Sequence, residues 1–151
     1  MNATRNLTKY FLLAALYFGF TAGAQNLNSA QIKQIEDVAK NIAEQSNSNK
    51  KAMLDEMTVS FNAIAAGRNV RFESVLRVKK GLSSNAIEEW LNVTRAEIIP
   101  MTCAQNAKNL AFDRGLSYTF VYKNNYNEIL GDIFVDRSEE HTSELQSRHN
   151  L

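Results

Sequence analysis

The sequence is poor in several residue types, and each scarcity excludes something. In 151 residues there are one proline, one cysteine, one tryptophan, six glycines and two histidines. So little proline and glycine excludes a collagen-like or low-complexity chain. A single cysteine excludes an internal disulfide framework. Both histidines, His141 and His149, stand near the C-terminus. The long stretch before them therefore has neither a Ser-His-Asp nor a Cys-His arrangement, and no Cys/His cluster for zinc. No glycine-rich loop offers a phosphate cradle. Charge of one sign is also missing: Lys+Arg number 17 and Asp+Glu 16. Between Gln25 and Asp136 the two balance, and no basic cluster marks a nucleic-acid partner. Lys50-Lys51 and Lys79-Lys80 read as isolated, solvated pairs. Asp55-Glu56 and Glu88-Glu89 are adjacent carboxylates. Neighbours on a helix point about 100° apart, a poor geometry for shared acid–base work. These absences predict a protein that is not an enzyme and carries no cofactor and no metal.

The one long apolar run is Tyr10–Phe20, YFLLAALYFGF. It is short for a bilayer, which takes about 20 residues. Arg5 and Lys9 precede it and Ala22-Gly23-Ala24 follows it, which is the pattern of a secretory signal peptide cleaved after Ala24. Residues 1–24 are read as that signal, and the exported chain is expected to start at Gln25 without a stable membrane span, in the periplasm or secreted. No cysteine follows the apolar core, which argues against a lipid anchor. At the other end, Arg137–Ser147 reads RSEEHTSELQS. This resembles the in-frame translation of a common sequencing adapter. It implies that residues 137–151 are a non-native tail and that a single domain, truncated at its C-terminus, occupies 25–136.

Within that domain the segment organising the rest is Leu116–Val135. Leu116, Tyr118, Phe120 and Tyr122 alternate with Ser117, Thr119, Val121 and Lys123, then an asparagine-rich turn leads to a second strand, Ile129–Val135. Period two and turn chemistry predict an antiparallel hairpin. A second hairpin is predicted from Met57, Val59, Phe61 and Ala63, a turn at Ala66–Asn69, and alternation from Val70 to Val78. Its polar face carries Arg71, Glu73 and Arg77, which are solvated side chains or a candidate binding face. Asn28 opens a helix with Ile32, Ile35, Ala39 and Ile42 at helical spacing, ending in Ser46–Asn49. That stripe packs on the sheet or receives a partner. A second helix starts at Ser83–Asn85 with Ile87, Trp90, Leu91, Thr94 and Ile98 inward. Pro100 is expected to interrupt it, with a further helical segment over Thr102–Phe112 carrying Cys103, Ala107, Leu110 and Ala111 on one side. Asn92-Val93-Thr94 matches a glycosylation sequon in mid-helix. The order is α-ββ-α-ββ. The fold class expected is α+β: an antiparallel sheet of about four strands with helices packed on one face.

Cys103 has three readings: a small buried hydrophobe, a thiol seeking an external partner, or half of a disulfide whose other half lay beyond Asp136. The run from Cys103 through Leu110, Gly115–Tyr118, Phe120–Tyr122 and Ile133–Val135 resembles a pattern in small exported bacterial proteins, some of them pilotins, periplasmic helpers of secretion-channel assembly. In that pattern a second Cys follows the last strand. The resemblance implies a non-enzymatic binding or assembly-helper module with another protein as partner. Two alternatives stay open: an inhibitor or immunity protein of a secreted enzyme, and an enzyme that uses the Cys103 thiol.

Overall fold

A computed structural model describes residues 26–138, so the predicted signal peptide and nearly all of the predicted tail lie outside the described residues. The elements are α1 (Ser29–Ser48), a 3-10 turn (Lys50–Met53), β1 (Thr58–Ala66), β2 (Asn69–Leu76), α2 (Ser84–Gln105), the single-turn α3 (Leu110–Asp113), β3 (Ser117–Asn124) and β4 (Ile129–Val135). They build an α+β fold around one four-stranded sheet in the order β1-β2-β3-β4.

Both expected hairpins are present and antiparallel. The central pair, β2 and β3, is parallel, so the sheet is mixed where a wholly antiparallel one was expected. The cause is α2. Parallel neighbours need a long crossover, and a 22-residue helix rises about 33 Å. It carries the chain from the end of β2 back to the level at which β2 began.

Register puts Val70, Phe72 and Leu76 of β2 beside Tyr118, Phe120 and Asn124 of β3. Ile133 and Val135 of β4 lie beyond them on the same face. These side chains and Phe61 and Ala63 of β1 are buried under the helices. Phe72 stacks between Phe61, at 5.9 Å, and Phe120, at 5.3 Å. Each such ring contributes about 1.5–3 kcal/mol by leaving water. Helix α1 closes β1 and β2 with Ile35, Ala39, Ile42 and Ala43. Its start is the expected capping box: Asn28 Oδ1 accepts from the Gln31 N–H and Gln31 Oε1 from the Asn28 N–H, both at 2.9 Å. Because its apolar stripe is spent on the sheet, α1 has no such stripe left for a partner. Helix α2 closes β3 and β4: Trp90 meets the Tyr122 ring edge-on at 5.1 Å. Its N-cap is Ser83, accepting from the Ala86 N–H.

Three local expectations are corrected. Helix α2 runs unbroken through Pro100. The ring sits on the exposed side, while Ile98, Thr102 and Cys103 on either side of it are buried. Packing holds both halves in one helix although a backbone hydrogen bond is lost. The break comes instead between Asn106 and Asn109, so Ala107 and Leu110 are exposed while Cys103 and Ala111 are buried. In β1 a register shift between Thr58 and Ser60 turns Thr58 inward and Val59 outward, against the simple alternation.

Candidate functional site

The sheet face opposite the helices carries a patterned surface. Strand pairing places Ile64, Arg71, Thr119 and Phe134 side by side across all four strands. Ile64 is 44% exposed and Phe134 48% exposed, one on each outer strand. The neighbouring row is Asn62, Glu73, Val121 and Asp132. Val121 is buried even here.

Glu73 is the electrostatic centre of this face. Arg71 Nε donates to its Oε1 at 2.8 Å and Lys123 Nζ to its Oε2 at 3.1 Å. Hydrogen bonding from Lys123 is the largest influence on the Glu73 carboxyl and, with the help of Arg71, outweighs partial burial and holds it below the ordinary glutamate value. Beside it, Asn69 Nδ2 donates to Ser117 Oγ at 2.9 Å and to Thr119 Oγ1 at 3.0 Å. Both networks bridge the parallel pair.

Of the sequence-predicted face, Arg71 and Glu73 stand together and Arg77 does not join them. Strand β2 ends at Leu76, and Arg77 is exposed in the following connection, where its N–H donates to Met57 O at 2.7 Å. Lys123, Asn69 and Thr119 complete the face and were not singled out by sequence. Alternation with Tyr118, Phe120 and Tyr122 marks the side of Thr119 and Lys123, while Asn69 reads as part of a turn; only the β2–β3 pairing brings Lys123 to Glu73 and Asn69 to Ser117 and Thr119.

Cys103 is buried against the core. A catalytic thiol must meet its substrate, and this position withholds it. One turn later, Asn106 Oδ1 accepts from the buried Tyr118 hydroxyl at 2.9 Å. Burial raises the Tyr118 phenol well above its usual range, with the Asn106 hydrogen bond acting in the opposite sense, and burial raises Tyr122 likewise. Neither is poised to exchange a proton near neutral pH. Among the described residues no group of three His, Cys, Asp or Glu side chains is placed to hold a metal ion, and no helix is long and apolar enough to cross a membrane. A shallow groove of about 380 Å³ runs between α2 and β4, lined by Ile87, Leu91 and Leu130 with Glu88 and Arg95. It gathers no catalytic set.

No protein-family model matches the chain, and a search of curated protein sequences returns no match. Solved structures do match. The chain is similar to the type II secretion system pilotin AspS from Vibrio cholerae, at 17% identity and a TM-score of 0.52, over 73% of this chain and 95% of that one. It is similar to a protein from Pseudomonas aeruginosa thought to be secreted, at 11% identity and a TM-score of 0.59, over 74% and 97%. It is also similar to EpsS, the pilotin of the Vibrio vulnificus type 2 secretion system, at 15% identity and a TM-score of 0.50, over 74% and 96%. At these identities the likeness is one of fold: nearly the whole of each pilotin is matched by about three quarters of this chain.

Proposed function

We propose that the chain is an exported, non-enzymatic binding or assembly-helper module, and that its open sheet face receives a segment of another protein. The observation that carries this reading is the row Ile64–Arg71–Thr119–Phe134. Two large apolar side chains stand half-exposed at its ends, with a charged and hydrogen-bonding centre between them. Exposed apolar side chains supply affinity when a partner covers them, and fixed polar groups beside them set its register. The pilotin fold of two neighbours supports the helper class. The burial of Cys103 argues against the thiol enzyme.

The test is photo-cross-linking from positions 64 and 134 in the periplasm of a secreting bacterium. Capture of a secretion-channel component, lost in the doubly substituted Ile64→Asp, Phe134→Asp chain, supports the proposal. Capture of a secreted enzyme instead would identify an inhibitor or immunity protein. Cross-links from α1 alone would overturn the choice of face. Export itself is checked by N-terminal sequencing of the periplasmic protein, with Gln25 expected first.

A further inference from the structure

We propose that the outer edge of β4 takes up an extended segment of a partner protein as a fifth strand, basic on one face and aliphatic on the other. The sheet ends at β1 on one side and at β4 on the other. On β1 the Asn47 side chain bonds both backbone groups of Ala63. Along Gly131–Val135, among the described residues, no strand or side chain does the same for the outward backbone groups of β4. Edge strands are commonly guarded by lysine, proline or a bulge. Strand β4 has neither lysine nor proline. Its one irregularity, opposite Tyr122 and Lys123, lies at its start and leaves the rest of the strand regular. Such an edge selects its occupant by backbone. A strand can bond it, whereas a helix has already satisfied most of its own N–H and C=O groups.

An added strand would lie about 4.8 Å beyond β4 and turn alternate side chains to the two faces of the sheet. Each face has a counterpart for them. On the helix side is the groove of about 380 Å³ lined by Ile87 and Leu91 of α2 and Leu130 of β4. Trp90, on the other flank of α2, meets Tyr122 of β3, so the groove opens past β4 and not toward the middle of the sheet. Aliphatic side chains of the added strand fall there. On the open side the strand would run beside Asp132 and Phe134, both exposed. The other charges bordering the edge are already answered. Lys123 is held by Glu73, Glu128 accepts from Asn124, and Asp136 accepts from the Ser138 N–H and hydroxyl. Glu88 and Arg95 at the groove offset each other in sign. Asp132 is left with no ion pair among the described residues. Opposite charges facing one another stabilise neighbouring strands, so the open-side residue of the occupant is Lys or Arg. A second copy of β4 does not supply it, because Asp132 is the only charged residue of Ile129–Val135.

The test uses the full chain and a short fluorescent peptide that alternates valine with lysine, read by anisotropy. Two further versions of the peptide carry N-methyl groups on one or the other alternate set of amides. In an added strand one set faces β4 and the other faces away. One methylated version should therefore lose roughly ten-fold or more in affinity, the weight of one or two hydrogen bonds, and the other should bind like the parent peptide. Hydrogen exchange should slow in β4 and not in β1. Asp132→Lys should weaken the lysine peptide about five-fold, and a peptide with glutamate in place of lysine should recover that loss. Asp132 is exposed, so this variant leaves the core as it is. Equal affinity of all three peptide versions, or equal loss in both methylated ones, would show that no strand edge is used. Protection of β1, an Asp132→Lys chain that does not discriminate, or no binding at millimolar peptide would each overturn the proposal. So would a dimer through β4 that the peptide does not dissociate, which would make a second copy the occupant.

Discussion

The Leu91 side chain occupies the space in which a Cβ on Gly131 would stand. Leu91 belongs to the inward stripe of α2, and Gly131 pairs with Tyr122 across the β3–β4 ladder. The missing side chain is what lets α2 close on the outer strand. Gly131→Ala should therefore force Leu91 to another rotamer and destabilise the fold by about 1–3 kcal/mol, the usual cost of overpacking. Urea unfolding measures this. Restoration of stability by pairing Gly131→Ala with Leu91→Ala would locate the clash. An unchanged midpoint in the single variant would show that α2 does not lean on this strand.

A different residue finishes the opposite edge of the sheet. Asn47, in the last turn of α1, accepts from the Ala63 N–H through Oδ1 at 2.8 Å and donates to Ala63 O through Nδ2 at 2.7 Å. The amide takes the place of a neighbouring strand in the middle of β1 and covers part of an edge that would otherwise invite pairing with another chain. Asn47→Ala removes two hydrogen bonds of about 1 kcal/mol each. The expected result is a loss of about 1–2 kcal/mol in thermal or urea unfolding, together with a rise in self-association by light scattering. A monomer as stable as the parent would refute the edge role.

The Glu73 network predicts a pH dependence. Its carboxyl is held down, chiefly by the Lys123 hydrogen bond. A group with a depressed folded-state pKa contributes stability above its unfolded pKa, about 4.3 for Glu, and loses it as pH falls through the folded value. The stability gap between the parent and Glu73→Gln should be full at neutral pH, narrow below about pH 4.5, and close in stronger acid. Lys123→Met should narrow the gap more than Arg71→Met, because Lys123 is the larger influence and the more buried partner. A gap independent of pH would show that the ion pairs add nothing.

Much of this architecture is legible along the chain, because each hairpin carries its own alternation and its own turn. The join between the hairpins is not. Glu73 and Lys123 are 50 residues apart, and their contact depends on a crossover helix whose length, rather than any local motif, makes the central pair parallel. Arg77 looks equivalent to Arg71 because alternation continues to Val78, yet β2 stops at Leu76 and Arg77 lies in the connection beyond it, its N–H donating to Met57 O. Pro100 misleads for a related reason. A local rule predicts a break, and tertiary burial on both sides of the ring overrides it. The pilotin resemblance, read from hydrophobic alternation and one cysteine, finds its counterpart in the fold.

The final prediction sets two buried polar residues of α2, one turn apart, against each other. Asn106 caps the helix and makes three side-chain hydrogen bonds: Nδ2 donates to Thr102 O at 2.9 Å, and Oδ1 accepts from Tyr118 Oη and from Asn109 Nδ2, at 2.9 and 2.8 Å. Thr102 is equally buried, but its Oγ1 has no hydrogen-bond partner among the described residues. Removing one partner from a buried network leaves the others desolvated, at about 1–3 kcal/mol per group. Asn106→Ala should therefore cost at least about 2 kcal/mol, and Tyr118→Phe less, since Asn106 Oδ1 keeps Asn109. Thr102→Val keeps the shape and removes a hydroxyl that gains nothing from burial, so it should be neutral or stabilise by about 1 kcal/mol. Chemical denaturation of the three variants gives the signs. A destabilised Thr102→Val would mean that a buried water serves the hydroxyl, and hydrogen exchange at the end of α2 would then slow on restoring the threonine.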